Sequence, residues 1–154
     1  MKCKELQVGD KVALINGIIA TIIEVGENYA YAVLNGYETM DPWEFNDQDN
    51  HPESIPITPE ILEKNGFDPE TFLTDEWGRK VYFKEFSSCV VEPADPGKYI
   101  FGTITYWNKT DGDGSPIDWG TMYESRIYNL QYVHELQRVL RCCGLWDMAE
   151  NFKV

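Results

Sequence analysis

Residues 11–40, KVALINGIIATIIEVGENYAYAVLNGYETM, decide the fold of the first part of this chain. Two Asn-Gly pairs, Asn16-Gly17 and Asn35-Gly36, separate runs rich in Val, Ile, Tyr and Thr. Such runs favour strands, and Asn-Gly between them predicts tight hairpins of type I′, whose two central residues need positive φ. Gly26-Glu27-Asn28 supplies a further turn between the hairpins. Short strands joined by tight turns twist and curl, so residues 1–57 are expected to form a small five-stranded, barrel-like β-sheet lobe. Gly9-Asp10 marks a turn just before the first strand. In Tyr29-Ala30-Tyr31-Ala32-Val33 the period-two alternation places both tyrosines on one face, with the alanines opposite.

Residues 58–154 read as an α+β lobe, and the chain as a whole as α+β. Thr58, Pro59 and Glu60 spell a helix start, with Asn65-Gly66 as its stop and Phe67 folding over the end. Asp68 to Phe72 reads as a second, shorter turn. Two long strands are expected over Val81–Glu92 and Lys98–Trp107, forming a β-hairpin, with Thr110–Gly120 as a loop. An amphipathic helix is expected from about Ser125 to Cys142, its apolar stripe made of Tyr132, Val133, Leu136, Val139, Leu140 and Cys143. That helix would pack across the sheet.

Charge narrows the class of partner. The chain has 154 residues and a net charge of −13, and ten of those negative charges fall between Asp41 and Glu76, which holds eleven acids against one base, Lys64. Phosphate contacts dominate nucleic-acid affinity, so an acidic surface repels DNA and RNA. The start, MKCKELQVGD, lacks the apolar core of a secretory signal, and the greasiest run, Val12 to Val25, falls short of a membrane span. Four cysteines without CxxC spacing fit reduced cytoplasmic thiols. Cytoplasmic localisation and no membrane partner are therefore expected.

Ser54–Phe67 (SIPITPEILEKNGF) and Tyr132–Leu140 (YVHELQRVL) together resemble a family of small uncharacterised proteins of gut Bacteroidetes and their phages or mobile elements. Its pattern joins a Leu-x-x-Gly start, matched by Leu6 to Gly9, to a Pro-Ile-Pro-Leu-Thr helix and a terminal Tyr-Val-His-x-Leu-Gln helix. The tail departs from that pattern at Arg141-Cys142-Cys143-Gly144. The resemblance implies a fold order and a bacterial or phage setting, with no catalytic role attached to any residue.

Motifs for chemistry are sparse. P-loop, nucleophile-elbow and dinucleotide fingerprints are absent. His134 reads as a structural histidine at a helix–sheet junction, and His51 as solvated. Cys142 and Cys143 read as small buried hydrophobes. Asp111-Gly112-Asp113-Gly114-Ser115 starts like a calcium loop, but Pro116 stands where glycine is needed and Met122 where the bidentate glutamate belongs. Trp107 and Trp119 bracket that loop and could shield a sheet edge. The expected function is non-enzymatic: an acidic face carrying Trp43, Glu44, Phe45, Asp47, Asp49 and Glu53 would engage a basic protein, with Trp43 and Phe45 as apolar anchors and no cofactor. The alternative is a small-ligand or metal-dependent enzyme using the carboxylates of Asp47–Glu53 with His51.

Overall fold

A computed structural model describes the backbone of residues 2–37, 39–46, 51–74, 80–84, 89–94, 97–110 and 116–154, and the side chains of these other than 68–74, 80–84, 103–110, 116–126 and 128. The fold is mixed α+β, built as two compact units: residues 1–57 with 131–154, and residues 58–130.

The first unit opens with a 3-10 turn, Cys3–Glu5, and an antiparallel sheet of four strands: β1 (Lys11–Ala13), β2 (Ile19–Val25), β3 (Tyr29–Leu34) and β4 (Trp43–Asn46), in that order. Its alternation is that of a half-buried sheet. Val12, Ala20, Ile22, Ala30, Ala32 and Phe45 face a core shared with Cys3, Leu6 and Leu14. The five-stranded barrel is not formed among the described residues. The sheet stays open at four strands, and the segment after β4 contributes one isolated bridge, Ala13 to Glu53, in place of a fifth strand. Pro52 stands directly before that bridge, and proline cannot extend a ladder.

The Asn-Gly turns also differ from type I′. Only the glycines carry positive φ, Gly17 at 82° and Gly36 at 84°. At the first hairpin the Gly17 amide donates to Leu14 O and the Leu14 amide to Ile18 O, giving a three-residue loop that ends on a left-handed glycine. At the second, Tyr37 N–H donates to Leu34 O with Gly36 third in the turn, as type II requires. The longer first loop lifts Ile15 to 91% exposure at its tip.

Two helices complete this unit, α2 (Val133–Cys142) and α3 (Trp146–Glu150); α1 belongs to the second unit, below. The residues after 130 therefore group with the N-terminal sheet, where Gln137 meets the Lys11 amide and Arg138 and Arg141 meet the buried Asp10 carboxylate. Val133, Leu136, Val139 and Leu140 are buried as the stripe predicts, whereas Cys143 is half-buried and Cys142 exposed.

In the second unit, α1 (Pro59–Lys64) is capped as its sequence predicts: Ile61 N–H donates to Thr58 Oγ1 at 3.3 Å, Gly66 takes φ 71°, and Phe67 is fully buried. The rest is a five-stranded antiparallel meander of β5 (Asp68–Thr74), β6 (Lys80–Lys84), β7 (Cys89–Pro93), β8 (Tyr99–Thr110) and β9 (Pro116–Leu130). Four expectations change here. Asp68–Phe72 is an edge strand, where Pro69 is tolerated, not a helical turn. Val81–Glu92 divides between β6 and β7. Pro116–Gly120 is strand, while residues 111–115, the calcium-like stretch, lie outside the described residues. Ser125–Leu130 continues β9 opposite Tyr99–Thr103, and Asn129 at φ 64° bars a helix through it, so α2 starts at Val133.

Candidate functional site

Two arrangements of polar side chains stand out, both in the first unit. One is buried. Gly9 takes φ 89° and turns the chain so that Asp10, fully buried, points its carboxylate inward. A Cβ at Gly9 would also lie 2.5 Å from Glu150 Oε2 and 2.7 Å from Arg141 Nη2. The Asp10 carboxylate accepts from Gln7 N–H (2.9 Å), Arg138 Nη2 (3.1 Å) and Arg141 Nη1 (2.7 Å), and Arg141 Nε reaches Glu150 at 2.9 Å. Burial draws Arg141 down, but its bonds to Asp10 and Glu150 outweigh this and hold it above the ordinary arginine value. Beside it the fully buried Gln137 accepts from Lys11 N–H at 2.9 Å and donates to Gly9 O (3.1 Å) and Ala149 O (2.7 Å). One amide thus ties β1, the Gly-Asp turn and α3 together. Both oxygens of Asp10 are engaged and shielded from water, so this network holds structure in place.

His134 lies on the same helix face as Arg138 and Arg141, 5% exposed, with its ring stacked on Tyr132 at 5.8 Å and Nδ1 without a hydrogen-bond partner. Burial, aided by the Arg138 charge, lowers its pKa.

The other arrangement is outward. Register places Glu24 of β2 opposite Tyr31 of β3, and Tyr31 opposite Glu44 of β4, so a tyrosine is flanked by a glutamate on each neighbouring strand. A bulge at Ile22/Glu24 turns Glu24 to this face. Tyr31 Oη donates to Glu44 Oε2 and Tyr29 Oη to Glu24 Oε1, each at 3.2 Å. The two rings meet edge to face, centroids 5.6 Å apart at 62°. The bond to Glu44, and the charge of that carboxylate, raise the Tyr31 pKa. Glu24, Glu44 and Tyr29 are exposed and Tyr31 half-buried.

The residues singled out from sequence divide. Glu44 lies on this face. Phe45 is fully buried opposite Ala30 and is a core residue, not a surface anchor. Trp43 sits on the same inward rows, opposite Ala32, yet keeps 43% exposure at the edge strand. Glu53 and His51 are exposed, with the Glu53 backbone bonded both ways to Ala13. Asp47 and Asp49 lie outside the described residues, as do Asp75 and Glu76. The acidic stretch is moreover shared between the two units, Asp41–Glu53 in one and Glu60–Glu76 in the other. Sequence reading missed Glu24, because the bulge that turns it outward has no signature, although the paired tyrosines were legible.

Among the described residues no three His, Cys, Asp or Glu gather as metal ligands, and no helix is long and apolar enough to cross a membrane. None of the four cysteines forms a disulfide among the described residues, and burial pushes the Cys143 thiol up, away from thiolate reactivity. No protein family, no curated protein and no solved structure matched the chain on comparison.

Proposed function

We propose that this protein is a non-enzymatic interaction module that engages a basic protein segment through the outward face of its N-terminal sheet. The observation that carries the reading is the Glu24–Tyr31–Glu44 row with Tyr29 beside it: aromatic faces for a cation, and carboxylates on both sides. A net charge of −13 steers cationic partners toward such a face and nucleic acid away from it. No cofactor enters this reading, and a cytoplasmic, bacterial or phage setting accords with it.

The test is calorimetric titration of the full chain with a 12-residue peptide of alternating basic residues and glycine, Lys and Arg in equal number. Wild type binds, affinity falls steeply as salt rises from 20 to 200 mM, and Tyr31→Leu with Glu24→Gln and Glu44→Gln abolishes binding. Salt-insensitive binding, or equal binding by the triple variant, refutes the reading, as does tight binding of duplex DNA at 150 mM salt.

A further inference from the structure

Resting on that reading, we infer that the Glu24–Tyr31–Glu44 row selects arginine over lysine. Neighbouring strands stand about 4.8 Å apart, so the two glutamates flank the ring of Tyr31 at one strand spacing each. A guanidinium is planar. It stacks flat on an aromatic face while its in-plane N–H groups stay free to bond carboxylates, which the strands on either side of Tyr31 supply. An ammonium is a compact, strongly hydrated point charge that gives up more water to sit on a ring and has no fork to match a carboxylate.

The tyrosines are prepared for this role. Each phenol spends its proton on a carboxylate, Tyr31 on Glu44 and Tyr29 on Glu24. Donation to an anion enriches the ring in electron density and strengthens its attraction for a cation. Those same bonds tether the Glu44 carboxylate to the Tyr31 phenol and the Glu24 carboxylate to the Tyr29 phenol, and the edge-to-face contact with Tyr29 holds Tyr31 in place. Less side-chain freedom is then lost when the guanidinium arrives. Among the described residues, register also brings the base Lys11 near this face, opposite Thr21. Its Nζ donates to Thr21 Oγ1 at 2.6 Å.

Two peptides of equal length and charge separate the possibilities, Gly-Arg and Gly-Lys repeats of 12 residues, titrated into the full chain at 50 mM salt. The arginine peptide binds roughly tenfold tighter. Tyr31→Leu brings the ratio near one, while Tyr31→Phe, which keeps the ring and loses the phenol bond, leaves an intermediate ratio. Far-ultraviolet circular dichroism of each variant confirms that the sheet is retained. Equal affinity for the two peptides in wild type overturns the arginine selectivity and leaves the basic-partner reading standing. Binding of neither peptide overturns both, and an unchanged ratio in Tyr31→Leu overturns the assignment to this row.

Discussion

Replacing Gln137 with leucine removes three hydrogen bonds at once while putting an apolar side chain of similar size in its place. Lys11 N–H, Gly9 O and Ala149 O lose their bonds to this amide, at 2.9, 3.1 and 2.7 Å, in a setting where Gln137, Gly9 and Ala149 are all buried. A bond of this kind contributes about 0.5–1.5 kcal/mol net, and a buried group left unpaired costs about 1–3 kcal/mol. The extra apolar burial of leucine offsets roughly 1 kcal/mol. The expected loss is therefore about 3 kcal/mol, near a hundredfold in the folding equilibrium. Urea unfolding followed by circular dichroism reads the total, and hydrogen exchange of the Lys11 amide reads the site itself. Gln137→Glu discriminates further. Its carboxylate still accepts from Lys11 but faces two carbonyls with no proton to offer, so it destabilises more than leucine at pH 7 and recovers as the carboxyl protonates in acid. A loss under about 0.5 kcal/mol in Gln137→Leu, with the Lys11 amide still protected, would refute the claim that this amide joins α2 and α3 to the sheet.

Asp10→Ala leaves Arg138 and Arg141 without their shared carboxylate, and about 3–5 kcal/mol is expected to be lost in denaturant unfolding. Adding Arg141→Met recovers part of it, whereas additive losses would contradict the pairing. Phe45→Ala costs about 3–5 kcal/mol because its ring is fully buried, while Trp43→Ala costs under about 1 kcal/mol; the reverse order would show that the register of β4 is wrong. His134 has a folded pKa below its unfolded value near 6.5, so the unfolded chain takes up the proton first. Stability from this residue is complete above pH 6.5 and declines as pH falls toward the folded pKa; the charges acting on the ring include those of Arg138, Asp10 and Glu135. His134→Gln flattens the part of the unfolding profile below pH 6.5, and a superimposable profile would contradict neutral burial.

How legible this was varied along the chain for physical reasons. Thr58, Pro59, Asn65 and Gly66 act on backbone groups within a few residues, so α1 could be read from its own letters. The alternation in Tyr29–Val33 likewise announced which side would be buried. Ser125–Leu130 misled because Arg126-Ile127-Tyr128 joins the helical stripe without interruption, and only the pairing with β8, some twenty-five residues earlier in the chain, makes it a strand. The Asp10 network was hidden for the same reason, since Asp10 and Arg141 are 131 residues apart and neither carries a local motif. Glu24 was missed by one residue of bulge, which reversed the side on which its carboxylate emerges.

The first unit is interrupted by the whole of the second, and that ordering governs how the chain leaves the ribosome. Residues 1–57 emerge carrying Asp10, the edge of β1 and the apolar cluster from Cys3 to Phe45, while α2 and α3 are still unsynthesised. At about 5–20 residues per second, the 73 residues from 58 to 130 hold that state open for roughly 4–15 s. Residues 58–130 thus have their own partners at hand while the earlier sheet waits. The wait ends on a prepared seam: Ile57 N–H donates to Gln131 O and Val133 N–H to Ile55 O, each at 2.9 Å. The departure and return of the inserted segment are stitched side by side, so it behaves as a parenthesis in the nascent chain, and a short linker in its place would let the outer sentence be read without a break.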